Sequence, residues 1–325
     1  MIATIYNEKV KGRFMWESER ELRRGSNAYV SYTVLFQTAG AIESKADKDL
    51  AELGVDDIKK ICDLFAKHTV ARVLRYVTNL LRYLRWYRSR YPGGDTDAAW
   101  EWVMKQIDKY RMSFVASPTH LQLELNKIFR PEESDTIDNI YRTYFWLAFS
   151  GLRDKENACK VSIDDVHIDE MKFFANGVSF YLYPQSIEAV SRAAKCTSLN
   201  YEHPNYKGGI VSRNRYDSRM LLRGIKQDAD AESLMVGIKK KTAATCAKDP
   251  TAKRLMYRTT YDSGLFYRQL DLEAGGMNVD FRDAIMKMRD VKGYSTEQSL
   301  NTSIEATQGR LKDEYYIWKY LMYNI

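Results

Sequence analysis

Apolar residues recur at helical spacing along most of this chain. In the clearest case the apolar positions lie three or four apart, at Ile58, Ile61, Leu64 and Phe65. A long helix is predicted from about residue 69 and ends at the Tyr91-Pro92-Gly93-Gly94 stop. The same spacing predicts further helices over 95–113, 118–130, from about residue 135, and over 262–325.

The period changes after about residue 160. Val161-Ser162-Ile163 is short and extended, and two apolar runs, 171–174 and 178–183, flank Asn176-Gly177. Asn-Gly between two such runs is a strong β-hairpin signal. Residues 198–255 are predicted to be irregular and basic. The fold class predicted from the pattern is therefore mainly α with a small antiparallel β-sheet.

The length of 325 residues favours two domains. The polar and basic start is interpreted as an arm, and the Pro92 stop separates an all-helical region from a larger mixed one. The predicted division is an N-terminal arm (1–26), a helical domain (27–94), a linker with a connecting helix (95–117) and a second domain (118–325).

The net charge of +7 and the pI near 9.0 permit an anionic partner such as nucleic acid. The four cysteines never form a C-x-x-C pair, which argues against a zinc site or a disulfide framework and is typical of a reducing cytoplasm. No uncharged run is long enough to span a bilayer, and no signal peptide is visible. We therefore expect a cytoplasmic protein without a cofactor, a metal or a membrane partner.

The helix predicted over 69–90 is strongly basic. Between Lys67 and Arg90 the sequence has no carboxylate at all. Four arginines fall within one broad arc of this helix, at Arg72, Arg75, Arg82 and Arg85. Such a strip is suited to DNA phosphates, although an ordinary solvated basic face would have the same pattern. Together with Lys67, and with Arg213 and Arg215 of the basic stretch, these residues are the predicted DNA-binding set.

A second motif lies at the end of an apolar helix. Residues 144–149 are apolar except for the Tyr144 hydroxyl, and Gly151-Leu152-Arg153 follows with Glu156 three positions later. This box resembles the first arginine box of the tyrosine recombinases, the phage integrase family. Residues 80–86, of the Leu-x-x-Tyr-x-x-Trp kind, are similar to the end of that family's core-binding domain, and Val161–Ile168 resembles its passage into a hairpin. The resemblance covers about residues 15–190.

The resemblance implies a helical core-binding domain followed by a recombinase-like catalytic domain. It also implies that Arg153 contacts the scissile phosphate, that Glu156 orients that region, and that Lys172 is the hairpin lysine. The nucleophile is expected to be Tyr315 or Tyr316, attacking phosphorus without a metal.

One part of the family's pattern is absent from the sequence. The second box, His-x-x-Arg, should fall near residues 256–268, but its arginine position holds Asp262 or Ser263, and none of the four histidines lies in the last third of the chain. Arg258 or Arg268 is then the candidate for the missing guanidinium.

Three functions remain open at this point. The first is site-specific integration or excision of mobile DNA through a phosphotyrosine intermediate, on double-stranded DNA and by a homo-oligomer such as a tetramer. The second is an inactive relative that binds DNA, because loss of a transition-state guanidinium costs orders of magnitude in rate. The third is a helical protein that binds a protein partner, which an acidic surface around Arg153 would favour.

Overall fold

The computed structural model divides the chain into two compact units, Met1–Tyr110 and Arg111–Ile325. It describes residues 5–17, 27–65, 70–111, 114–129, 136–202, 210–288 and 297–323. Lys67 lies outside these residues, as does the side chain of Arg72. The observed boundary, at residues 110 and 111, falls inside the region that was predicted to be a linker with a connecting helix.

The N-terminal unit is helical throughout its described part. Its helices are α1 (Glu8–Glu17), α2 (Asn27–Ala46), α3 (Val55–Phe65), α4 (Val70–Arg90) and α5 (Asp97–Arg111), which ends at the boundary. The predicted stop is confirmed, since α4 ends at Arg90, directly before Tyr91-Pro92. Helix α3 has Asp56 and Asp57 in its first turn, where the positive end of the helix dipole stabilises carboxylates.

Helix α1 belongs to the core of this unit. Its Phe14 is buried and packs edge-on against Tyr32, Phe36 and Tyr83, with ring centroids 5.1, 6.1 and 5.2 Å away. Edge-to-face packing of this kind stabilises aromatic clusters beyond the area that they bury. The segment predicted to be an arm (1–26) therefore contains a helix that packs with the helical domain. The polar sequence of α1 concealed this, because the buried residues of the helix are one aromatic residue, Phe14, and a lysine, Lys11.

A buried ionic cluster lies beside Phe14. Lys11 forms an ion pair with Glu43 and lies 3.4 Å from Asp49 Oδ2, and all three side chains are almost fully buried. Tyr83 donates a hydrogen bond of 2.9 Å to Asp49 Oδ1. Burial raises the pKa of Glu43 to about 7, although the neighbouring Lys11 ammonium opposes the rise.

The C-terminal unit combines helices with two small antiparallel sheets. Its described helices are α6 (Pro118–Ile128), α7 (Thr136–Phe149), α8 (Lys155–Cys159), α9 (Ile187–Lys195), α10 (Ala231–Lys248), α11 (Tyr257–Ala274), α12 (Arg282–Met288) and α13 (Glu297–Tyr323). Its strands are β1 (Val166–His167), β2 (Lys172–Ala175), β3 (Val178–Tyr181), β4 (Ser198–Glu202) and β5 (Ile210–Asn214). The predicted class, mainly α with a small antiparallel sheet, is confirmed.

Strands β1, β2 and β3 form one sheet in that order. The predicted hairpin is confirmed, because Asn176 and Gly177 join β2 to β3 with φ angles of 52° and 75°. Two positive φ angles at the centre of a two-residue loop are the geometry that Asn-Gly favours. Across the hairpin the rings of Phe173 and Phe180 stack at 5.1 Å.

Residues 198–255 are more regular than the sequence indicated. They contain β4 and β5, which pair with each other, and the 18-residue helix α10. Asp230 caps α10 by accepting a hydrogen bond of 2.8 Å from the backbone N–H of Ser233. The prediction of an irregular segment was wrong because α10 has small residues and lysines around most of its circumference, so its apolar face is narrow.

Helices α7 and α11 lie at the centre of the unit. Every residue from Tyr144 to Phe149 is fully buried, which explains the continuous apolar run in the sequence. Gly264 allows α11 to approach closely, since a Cβ atom there would overlap the carbonyl oxygen of Phe149. Helix α7 leads into the Gly151-Leu152-Arg153 box and α11 carries Arg258 and Arg268, so the contact between the two helices fixes how these residues face one another.

Candidate functional site: a basic groove around Arg153

The Gly-Leu-Arg box forms a tight turn after α7. Gly151 has a φ angle of +116°, a conformation that residues with a side chain rarely adopt. The turn reverses the chain so that Leu152 is buried while Arg153 is exposed. Asp154 then caps α8, accepting a hydrogen bond of 2.8 Å from the backbone N–H of Glu156. The local sequence therefore fixes Arg153 between two helix ends.

Arg153 faces a groove with a volume of about 890 Å³. The turn at 150–155, strand β3, one face of α11 and the segment 277–284 form its walls. Its charged lining is predominantly basic: five cationic residues, Arg153, Lys155, Arg258, Arg268 and Arg282, accompany three acidic ones, Asp154, Asp280 and Asp283. A concave surface with this balance attracts anions.

Three arginines of the groove affect the ionisation of one phenol, that of Tyr261. Burial raises the pKa of Tyr261 to about 12, and the guanidinium groups of Arg268, Arg258 and Arg153 act in the opposite direction. All three arginines are therefore close enough to Tyr261 to influence its ionisation. The structure brings together Arg153 and both candidates for the missing second-box arginine.

Neither of the two α11 arginines is placed as a simple phosphate ligand. Arg258 Nε donates a hydrogen bond of 2.9 Å to Asp262 Oδ2, and the Arg258 guanidinium lies 5.5 Å from the Tyr261 ring centroid. Arg268 Nη1 donates to the carbonyl oxygen of Phe149 at 2.7 Å. The other residue at the second-box position, Ser263, is fully buried. The charge of Arg258 is thus largely balanced by Asp262, and Arg268 supports the end of α7.

Two further predicted site residues lie outside the lining of the groove. Glu156 is half-exposed on α8, 3.8 Å from Lys155 Nζ, and Asp154 occupies the position nearer to the turn. Lys172 on β2 forms an ion pair of 2.8 Å with Glu170. The structure therefore does not bring Glu156 or Lys172 to Arg153.

The two candidate nucleophiles also lie away from the groove lining. Tyr315 is fully buried, and its hydroxyl donates a hydrogen bond of 2.5 Å to Glu273 Oε2. Burial, followed by this hydrogen bond, raises the pKa of Tyr315 well above its usual range. Tyr316 is exposed on the neighbouring position of α13. Within the described residues, the tyrosines that line the groove are Tyr181, Tyr183 and Tyr261.

Trp318 of α13 has a structural role. Its indole Nε1 donates a hydrogen bond of 3.0 Å to the carbonyl oxygen of Val115, and its side chain is almost fully buried.

The C-terminal end of α4 has two further arginines, outside the predicted strip, that are paired with carboxylates. Arg90 pairs with Glu17 of α1 at 3.0 Å, and Arg88 forms an ion pair with Asp97. The predicted members with described side chains are partly or fully exposed: Arg75, Arg82 and Arg85.

Arg213 and Arg215 differ sharply although they are two positions apart. Arg213 is exposed on β5, whereas Arg215 is 6% exposed. The Arg215 guanidinium donates to four carbonyl oxygens, those of Ala193, Cys196, Leu221 and Arg223, at 2.7–3.2 Å. Arg215 therefore fastens a loop inside the unit and has no donor directed at an outside phosphate.

The sequence interpretation named Arg258 and Arg268 but missed the other groove residues of the same helix, among them Tyr261, Leu265 and Leu272. Arg258, Tyr261, Leu265, Arg268 and Leu272 line the groove from α11, at intervals of three or four positions. That spacing places them on one face of the helix and was visible in the sequence. The family pattern drew attention instead to positions 262 and 263.

Other kinds of site have little support in the described part of the chain. The described residues contain no group of three or more histidine, cysteine or acidic side chains that could hold a metal ion. Among the same residues, no helix is long and apolar enough to cross a membrane.

Comparisons with known proteins single out the N-terminal unit. Residues 5–89 match the family model described as MrpR, N-terminal core-binding domain. No curated protein matches the chain. Among solved structures, the crystal structure of XerA recombinase aligns over 96% of this chain and 97% of that chain, with 10% sequence identity and a TM-score of 0.37. The N-terminal match agrees with the resemblance found in the sequence. Residues 5–89 are similar to the N-terminal core-binding domain of MrpR.

Proposed function

We propose that this protein binds double-stranded DNA through phosphate contacts and leaves the strands uncut. The groove around Arg153 carries the proposal, since five cationic and three acidic side chains line it. The core-binding domain and the exposed arginines of α4 give independent support. A protein partner is the weaker alternative, because an acidic groove around Arg153 would favour it and the charged lining is predominantly basic.

Cleavage is disfavoured by the positions of the reacting groups. Tyr315 would have to leave a buried hydrogen bond with Glu273 and lose a proton that its surroundings retain. A phosphorane also needs several positive groups around it. In the groove, the charge of Arg258 is offset by Asp262 at 2.9 Å. Attack on a phosphate by Tyr315 would therefore require a rearrangement around α13.

The binding proposal is tested with a short duplex of mixed sequence, titrated over a range of salt concentrations. Each phosphate contact contributes about 0.9 to the slope of log affinity against log salt. Arg153→Ala should weaken binding and lower the slope by about that amount. The matched control is Arg219→Ala, because Arg219 is also an exposed arginine and lies outside the groove, paired with Asp164. Equal binding by wild type and Arg153→Ala would contradict the proposal.

The absence of cleavage needs a separate experiment. A nicked suicide duplex that carries candidate sites traps a phosphotyrosine as a covalent adduct, which a denaturing gel detects. We expect no adduct under conditions in which the duplex is bound. An adduct that disappears with Tyr315→Phe or Tyr316→Phe would show that the protein is an active recombinase.

A further inference from the structure

Two side chains of α11 hold the turn that presents Arg153. Arg268 Nη1 donates a hydrogen bond of 2.7 Å to the carbonyl oxygen of Phe149, the last residue of α7. The Tyr257 hydroxyl donates one of 2.6 Å to the carbonyl oxygen of Leu152. These carbonyls lie on either side of Gly151. The carbonyl of Phe149 lies at a helix C-terminus and lacks an intrahelical partner, so Arg268 satisfies a group that the helix leaves open, and Tyr257 fixes the carbonyl on the other side of Gly151.

Gly151 is adapted to this arrangement. A Cβ atom at this position would lie 3.1 Å from Arg268 Nη2 and 3.5 Å from Phe180 Cδ1. The φ angle of +116° independently disfavours any residue with a side chain. The guanidinium of Arg268 is therefore packed directly against the turn, as well as hydrogen-bonded to it.

The Tyr257 contact is stable in its surroundings. Tyr257 is 6% exposed, and its ring lies 4.5 Å from that of Tyr144, between centroids. Burial raises the pKa of Tyr257 well above its usual range, so the hydroxyl keeps its proton and remains a donor. Tyr257 does not line the groove, and a direct contact between its hydroxyl and a bound phosphate is therefore not expected.

We propose that Tyr257 and Arg268 are positioning residues, which fix the Gly151 turn so that Arg153 faces the groove and which affect DNA binding through Arg153. This inference rests on the proposed function. It assigns α11 a role other than phosphate binding, because the helix supports the turn that presents Arg153. The competing possibility is that Arg268, which lines the groove, binds a phosphate itself.

A double-mutant cycle on duplex affinity separates these two roles. Tyr257→Phe removes one donor and keeps the ring, and it should weaken binding about fivefold, as expected for the loss of one buried hydrogen bond. In an Arg153→Ala background the same substitution should have no further effect. A purely structural role would lower thermal stability in both backgrounds without this dependence on Arg153. Independent, multiplying losses in affinity would overturn the inference.

The positioning role of Arg268 is tested with two substitutions. Arg268→Gln should behave like Tyr257→Phe in the cycle, and Arg268→Lys should restore part of the affinity by donating to Phe149 again. If Arg268→Gln weakens binding by the same factor with and without Arg153, then Arg268 is a phosphate ligand and the inference is wrong for it.

Hydrogen exchange of the free protein distinguishes failure of the inference from failure of the proposed function. The backbone of residues 149–154 should exchange faster in Tyr257→Phe, with Arg219→Ala as the unchanged control. If the exchange rates of residues 149–154 do not change in Tyr257→Phe, the positioning role is overturned, whatever the measured DNA affinity. Faster exchange supports the fixed turn, and if Arg153→Ala then binds DNA like wild type, the failure belongs to the proposed function.

Discussion

Asp262 is one of the two residues at the position where the family resemblance calls for an arginine, and it offsets the charge of Arg258. Their ion pair is 2.9 Å long, with the side chain of Arg258 41% exposed and that of Asp262 14% exposed. Asp262→Asn keeps the shape of the side chain and a carbonyl acceptor but removes the negative charge. The variant therefore leaves the guanidinium of Arg258 in the groove wall without its counter-charge.

The expected gain follows from one additional phosphate contact. Such a contact steepens the slope of log affinity against log salt by about 0.9, which between about 1 M and about 0.1 M salt corresponds to about an eightfold gain. We expect Asp262→Asn to bind a mixed-sequence duplex more tightly by up to this factor at about 0.1 M salt. The gain should disappear in an Arg258→Met/Asp262→Asn double variant.

Fluorescence anisotropy of a labelled duplex, titrated at several salt concentrations, measures both quantities. Asp164→Asn is the matched control, because it adds the same charge by removing the partner of Arg219 outside the groove. An equal gain in both variants would mean that net charge alone is responsible. If Asp262→Asn has wild-type affinity and slope, Arg258 does not face bound DNA and the groove assignment is refuted.

Two further predictions concern stability, measured as the free energy of unfolding in urea. Gly264→Ala places a Cβ atom against the carbonyl oxygen of Phe149 and should cost about 3 kcal/mol or prevent folding. Gly309 has open space around it, so Gly309→Ala should instead stabilise α13 by up to about 1 kcal/mol. Equal effects would mean that α7 and α11 are not in close contact. The pKa of Glu43 is about 7 in the folded protein against an ordinary 4.5, so the folded state holds a proton that the unfolded state releases between these values. Stability should therefore fall by about 3 kcal/mol as pH rises from 4.5 to 7, and Glu43→Gln should flatten that dependence.

Features with local causes were predictable from the sequence. Asn176-Gly177 specifies a hairpin through its own backbone preferences, and both residues do adopt positive φ angles. The end of α4 follows in the same way from Pro92 and the glycines after it. The apolar run before Gly151 identified a central helix because every residue from Tyr144 onward is buried.

Features that depend on distant partners were not predictable. The carboxylate-free sequence of α4 suggested one continuous basic strip, but Glu17 from α1 balances Arg90. Arg213 and Arg215 carry the same charge in the sequence. Only the fold shows that the guanidinium of Arg215 is hydrogen-bonded to backbone carbonyls. The sequence shows which residues are charged. Whether a charged side chain is available to a phosphate depends on the groups that the fold places beside it.

The contacts of α11 bear on the proposal that this protein binds DNA without cutting it. The turn at Gly151 presents Arg153, and α11 forms one wall of the groove. On α11, Asp262 balances Arg258, and Arg268 is hydrogen-bonded to the end of α7. Arg153 can contribute a ground-state phosphate contact, but cleavage needs groups aimed at the charge that develops on a phosphorane. If this is correct, DNA affinity and cleavage depend on different residues of one groove, and substitutions at Asp262 should change affinity without producing an adduct as long as Tyr315 remains buried.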